Sequence, residues 1–185
     1  ESKYDKLFWK KESAWLSLNE NSLKETTSLC EELKQFMSAS KTEYEIASSV
    51  ISILKKNEFK PLSEIKNLSP GTKFFIEKFG KIVCAGIIGK QSISNGFNAI
   101  AAHSDSPRLD LKPKPLTEEV NSSLALLKTH YYGGIKKYQW MSTQLAMHAL
   151  IIKSNGEKLN FVLGEKDNEP VFSIADLLPH VLKNK

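Results

Sequence analysis

Apolar positions change their period along this chain, and the changes mark its elements. From Leu23 to Phe36 they recur at Leu23, Leu29, Leu33 and Phe36 among charged residues, a loose helical spacing. A second helix is clearer, because Tyr44, Ala47, Val50, Ile51 and Leu54 fall on one face. Ser40 and Glu43 have the S-x-x-E spacing of a capping box ahead of it, and Lys55, Lys56 and Asn57 suit its carboxyl end. "LSPGT" at 68–72 reads as a turn, and beyond it the pattern becomes strand-like.

"KFFIEKF" is the first strand candidate, "KIVCAGIIG" at 81–89 is a continuous apolar run, and "GFNAIAAH" is a third. Gly80 and "SISNG" at 92–96 punctuate them. Continuous apolar runs predict strands covered on both faces, as in an α/β sheet flanked by helices. Ala99–His103 is thus predicted as an interior strand with His103 at its carboxyl end, the edge at which ligand and catalytic groups gather. After Pro107, "DLKPKPLTEE" carries two prolines that a central strand does not accommodate, which predicts a domain boundary near 108–120. "LAMHALIIK", "SNGE" and "KLNFVLG" then read as a β-hairpin, with Asn155-Gly156 as a type I′ turn. Ser173 with Asp176 is a candidate cap for a short helix that Pro179 ends.

Composition narrows the class. The 185 residues fit one large domain or two small ones, and 41% hydrophobic with 25% charged is ordinary for a globular protein. No apolar stretch approaches the roughly 20 residues that span a bilayer, so no membrane partner is expected. The opening "ESKYDKLFWKKESAW" has no signal-peptide apolar core. Cys30 and Cys84 read as buried free thiols of a reducing compartment, with the cytoplasm as the expected address. The net charge of +5 would suit nucleic acid, but 26 basic residues face 21 acidic ones and the lysines are spread along the chain. A lysine-rich solvated surface is the expectation, with no nucleic-acid partner.

The chemistry concentrates in "HSDSP" at 103–107. On an extended backbone His103 and Asp105 point to one side and Ser104 to the other, which argues against a triad of these neighbours. The arrangement suits a metal-binding imidazole whose tautomer the carboxylate fixes. A histidine merely satisfied by its neighbouring carboxylate is the other reading, and the pattern alone leaves both open. His148, inside the hairpin, reads as structural. His130, in "KTHYYGGIKKYQW", sits among aromatics and lysines that could stack on a nucleic acid, though no RNA- or DNA-binding motif accompanies them.

"AAHSDSPRLDLKPKPL", "LLKTHYYGGIKKYQW" and "GEKDNEPVFSIADLLPH", in this order, resemble the aspartyl aminopeptidase and aminopeptidase I family of dinuclear zinc metallopeptidases. "FMSASKTEYEIASSV", with Phe36, Lys41, Thr42 and Glu43, resembles an early stretch of the same family. The resemblance implies an amino-terminal portion of a longer, zinc-dependent aminopeptidase that hydrolyses the first peptide bond of peptides, with acidic residues favoured. It implies an α/β fold: an incomplete metallopeptidase sheet flanked by helices in 1–108, then the start of an inserted β-rich dimerisation domain in 109–185. Two zinc ions would sit in each active site, roughly 3.5–4 Å apart. His103 matches a zinc ligand and Asp105 the catalytic-site carboxylate that supports it. Partners would be peptide substrates and further copies in a large homo-oligomer, with His180 a candidate for a contact to a neighbouring subunit.

The other ligands and the glutamate base of such enzymes lie beyond the inserted domain. Glu31-Glu32 and Glu118-Glu119 are the adjacent glutamate pairs here, and neither stands in the family's context. One histidine and one aspartate do not hold a catalytic zinc, which takes three protein ligands. Two rival readings follow: a catalytically inactive assembly or regulatory module, and a basic nucleic-acid-binding module.

Overall fold

The computed structural model of the chain describes residues 4, 7–9, 11–119 and 123–175. The chain divides into two units, Glu1–Ser40 and Lys41–Lys185. The first contains helix α1, Glu20–Ala39, which extends the Leu23–Phe36 pattern at both ends. Asn19 caps it by accepting the Ser22 N–H at 2.9 Å, which satisfies one of the amide donors a helix start leaves unpaired.

The second unit opens with helix α2, Glu43–Lys56. Its capping box is Thr42 with Glu45, two residues beyond the expected Ser40 and Glu43. Thr42 accepts the Glu45 N–H at 3.3 Å, while Glu45 Oε2 accepts the N–H groups of Thr42 and Lys41, each at 2.9 Å. "TEYE" repeats the S/T-x-x-E spacing, and Thr42 takes the extended backbone that an N-cap needs. The predicted apolar face holds: Ala47 is buried, and Tyr44, Val50, Ile51 and Leu54 are half-buried. This helix packs on a three-stranded sheet of order β1-β2-β3.

The strands of that sheet are β1 Lys60–Pro61, β2 Lys73–Lys78 and β3 Ile82–Ile87. β1 runs parallel to β2, and β2 antiparallel to β3. Phe79 and Gly80 join the last two with φ of 59° and 71°. The Lys81 N–H reaches the Lys78 carbonyl at 3.1 Å, so the two-residue type I′ turn is here. Phe75 is buried, and Phe74 lies across from Gly86, where a Cβ would come within 2.7 Å of the ring.

Several expectations are corrected. The 81–89 run is not covered on both faces: within β3, Val83 and Gly86 are half-buried while Ile82, Cys84 and Ile87 are exposed. Helix α2 covers one side only. Cys84 and Cys30 are free, as expected, but exposed rather than buried. Ala99–His103 is not a strand, since residues 96–107 form no ladder and Ile100 is fully exposed. A strand needs a partner for its N–H and C=O groups, and among the described residues none runs beside this segment.

The prolines after Asp110 do not end a strand. β4, Arg108–Glu119, pairs antiparallel with β5, Leu124–Tyr132. The ladder skips from Leu111 to Leu116 on β4 while β5 moves only from Thr129 to Leu127. Pro113 and Pro115 fall inside this irregularity, where no ladder donor is required.

Two more two-stranded sheets follow: β6 Gln144–Leu145 with β9 Phe172–Ser173, and β7 Met147–Ile152 with β8 Lys158–Leu163. The β7–β8 hairpin is as read from the sequence, but its turn differs. Gly156 has φ 82° and Asn155 does not share the positive φ of a type I′ turn. Instead the Gly156 N–H reaches the Lys153 carbonyl at 2.9 Å, and Asn155 Oδ1 accepts the Glu157 N–H at 3.0 Å. The longer loop needs only one left-handed residue. Ser173 lies in β9, while Asp176, Pro179 and His180 lie outside the described residues. The class is mixed α/β, and no helix among the described residues is long and apolar enough to cross a membrane.

Candidate metal-ligand cluster at His103

The segment 96–107 delivers His103 and Asp105 to the start of β4. His103 Nδ1 lies 3.0 Å from Asp105 Oδ1 and 2.9 Å from the Asp105 carbonyl oxygen. Both neighbours are acceptors, so Nδ1 is the nitrogen that donates, and in the tautomer this selects the lone pair lies on Nε2. Among the described residues Nε2 has no hydrogen-bond partner, and the side chain is 83% exposed.

The second Asp105 oxygen, Oδ2, accepts the Tyr132 hydroxyl at 2.7 Å. Tyr132 ends β5 and stands opposite Arg108 in the ladder. The Arg108 guanidinium lies over the Tyr132 ring at 4.1 Å. It donates through Nε to Asp110 at 2.7 Å and through Nη1 to Glu43 at 3.0 Å. The Tyr132 hydroxyl, with His103 behind it, holds the Asp105 carboxyl below its ordinary range. The same carboxylate pushes the Tyr132 phenol up.

This chemistry fits one zinc ligand. A histidine that donates one ring N–H to a carboxylate has a fixed tautomer and a more basic free nitrogen, the usual support for a metal-bound imidazole. The described residues contain no group of three or more His, Cys, Asp or Glu placed to hold a metal. The described residues therefore do not by themselves make up a catalytic zinc site, which takes three protein ligands.

The remaining candidates are engaged elsewhere. His148, on β7, has Nδ1 at 2.7 Å from Glu45 Oε1 and Nε2 at 2.8 Å from Glu165 Oε1. Glu165 also pairs with Lys41 at 2.5 Å. Burial alone would lower the His148 pKa, but the Glu165 and Glu45 carboxylates outweigh it and raise the pKa above its ordinary value. With both nitrogens occupied, this ring offers no lone pair to a metal. His130 stands opposite Asp110 in the ladder and stacks on Tyr131, which Lys137 covers at 4.5 Å. Glu31 pairs with Lys34, and Glu118 lies opposite Ala125.

Tyr132, Arg108 and Glu43 were not legible as partners of this cluster. Tyr132 is 27 residues from Asp105 and Glu43 is 65 from Arg108. A local signal is the Gly133-Gly134 pair: β5 ends at Tyr132, and a Cβ on Gly133 would lie 3.5 Å from Pro107 Cα.

Residues 36–185 match the aminopeptidase I zinc metalloprotease (M18) family. The chain belongs to that family. A probable M18 family aminopeptidase 1 of Borreliella afzelii (strain PKo) is 48% identical over 172 residues, covering 93% of this chain and 37% of that protein. The crystal structure of aminopeptidase I from Borrelia burgdorferi B31 is similar with a TM-score of 0.85 at 43% identity, over 91% of this chain and 41% of its own. The S. cerevisiae mApe1 dodecamer is similar with a TM-score of 0.66 at 26% identity, over 80% of this chain and 36% of its own. The M18 chain described here thus spans 37% of the length of its Borreliella relative.

Proposed function

We propose that this chain carries a zinc ligand, His103, of an M18-type aminopeptidase, with Asp105 as its supporting carboxylate. The observation that carries the reading is the Nδ1 contact to Asp105 at 3.0 Å on a ring whose Nε2 has no partner among the described residues. Bound zinc would supply Lewis-acid polarisation of a scissile carbonyl and activation of water at neutral pH. His103 would hold the ion through Nε2. Asp105, kept ionised by the Tyr132 hydroxyl and the His103 ring, would hold the tautomer and raise the basicity of that nitrogen.

The substrate class is peptides with a free amino terminus, and the preference for acidic residues rests on the resemblance to aspartyl aminopeptidases. Two zinc ions per site and a homo-oligomeric assembly belong to the same reading, the latter supported by the mApe1 dodecamer. We place the boundary between the catalytic and assembly domains at 108/109, after the first residue of β4. Free Cys30 and Cys84 support a cytoplasmic address.

The test is elemental analysis of the full-length polypeptide together with a panel of aminoacyl substrates carrying Asp, Glu, Leu and Ala. Bound zinc, cleavage that a chelator abolishes and zinc restores, and faster cleavage of the acidic members are expected. Cleavage unaffected by thorough zinc removal contradicts the reading, and a faster neutral substrate removes the acidic preference alone.

A further inference from the structure

We propose that Tyr132 is a positioning residue for the metal-binding face of His103, acting through Asp105; this rests on the zinc reading above. The carboxylate of Asp105 is held from two sides. Oδ1 takes the His103 Nδ1–H at 3.0 Å, and Oδ2 takes the Tyr132 hydroxyl at 2.7 Å. A carboxylate on an exposed segment without regular structure is free to turn about its side-chain bonds. Engaging Oδ2 fixes the plane that presents Oδ1 to the imidazole, and so fixes where Nε2 points.

Tyr132 is itself well placed to impose a direction. It closes the β4–β5 ladder opposite Arg108, whose guanidinium covers its ring at 4.1 Å. Arg108 is held in turn by Asp110 and by Glu43 at the start of α2. Gly133 follows with φ 73°, and a Cβ there would lie 3.5 Å from Pro107 Cα, so the strand ends against the segment that carries the histidine. The chain of contacts runs from a capped helix, through an arginine and a stacked phenol, to the carboxylate. The adjacent Tyr131 stacks on His130 instead, which leaves Tyr132 as the phenol that serves Asp105.

The experiment is Tyr132→Phe in the full-length protein. This keeps the ring under Arg108 and removes one hydroxyl. The readout is zinc affinity by competition with a chelator, measured also in Asp105→Ala and in the double variant. Loss of a group that orients a metal ligand typically weakens binding by about 10- to 100-fold. The expectation is a weakening of at least about tenfold in Tyr132→Phe, with the melting temperature of the metal-free protein unchanged. The Phe substitution should add nothing once Asp105 is absent. Wild-type zinc affinity in Tyr132→Phe overturns the proposal, as does an equal weakening in the Asp105→Ala background. His103→Ala separates the two levels of the argument: if it loses zinc while Tyr132→Phe binds normally, only the role of Tyr132 fails. If His103→Ala retains all its zinc, the ligand assignment fails and takes the Tyr132 role with it.

Discussion

His103 and His148 both meet a carboxylate through Nδ1, at 3.0 and 2.7 Å, and they differ at the other nitrogen. Nε2 of His148 reaches Glu165 at 2.8 Å on a side chain that is 15% exposed, whereas the His103 side chain is 83% exposed and one edge of its ring has no partner among the described residues. The first arrangement ties the amino-terminal turn of α2 to the β7–β8 hairpin. The second presents a basic lone pair. A histidine beside an acid is therefore not informative until its second nitrogen is accounted for, and that nitrogen separates a clasp from a ligand.

The comparison sharpens most at Asp105. Asp105→Ala in the full-length protein should weaken zinc by about 10- to 100-fold while leaving the melting of the metal-free form nearly unchanged. His148→Ala should do the reverse. Removing it leaves Glu45 and Glu165 facing each other without the bridging ring, at an expected cost of about 1–2 kcal/mol in denaturant-derived stability, with zinc content retained. A drop in zinc for His148→Ala, or a fold collapse for Asp105→Ala, would break the distinction.

The His148 cluster should also make stability depend on pH. The His148 pKa is raised, so its contribution is fully present below the unfolded value of about 6.5 and is lost as pH rises through the higher folded value. Glu45 and Glu165 are lowered, the first held down by His148 and backbone donors against its burial, the second by Lys41 and His148. Their contribution is present above the unfolded value of about 4.3 and is lost as pH falls through the folded one. The clasp, with Lys41 alongside, thus stabilises most between about pH 5 and 6.5. Melting curves from pH 6 to 8 should decline less in His148→Ala than in wild type. Parallel curves would contradict the assignment.

The sequence pattern reached the helices and hairpins because those depend on near neighbours. Tyr44, Ala47, Val50, Ile51 and Leu54 specify α2 by spacing alone, and the apolar runs around Asn155-Gly156 specify β7 and β8. It misjudged what depends on distant partners. The Ala99–His103 run has the hydrophobicity of a strand, but pairing is a property of the neighbour, and among the described residues no strand lies beside it. Asn155-Gly156 has the residue types of a type I′ turn, yet it is Phe79-Gly80 that has both positive φ values, since hairpin loop length decides between them. At the candidate site, His103 and Asp105 are visible because they lie two positions apart. Tyr132, Arg108 and Glu43 are not, because they arrive through the β4–β5 ladder and the start of α2.

The smallest expected effect serves as a control on both clusters. Gly156→Ala meets nothing within 4 Å, so only the left-handed backbone at φ 82° is penalised. The cost should be about 1 kcal/mol, with zinc affinity and the pH profile both unchanged. A change in zinc affinity here would mean that the hairpin and the His103 cluster are coupled.

The most direct test of the ligand assignment is the zinc content of full-length His103→Ala, measured by elemental analysis beside wild type and His148→Ala. The account predicts fewer zinc ions per chain and loss of peptidase activity in His103→Ala alone, with the metal-free melting temperature preserved. Wild-type zinc and activity in His103→Ala would contradict it.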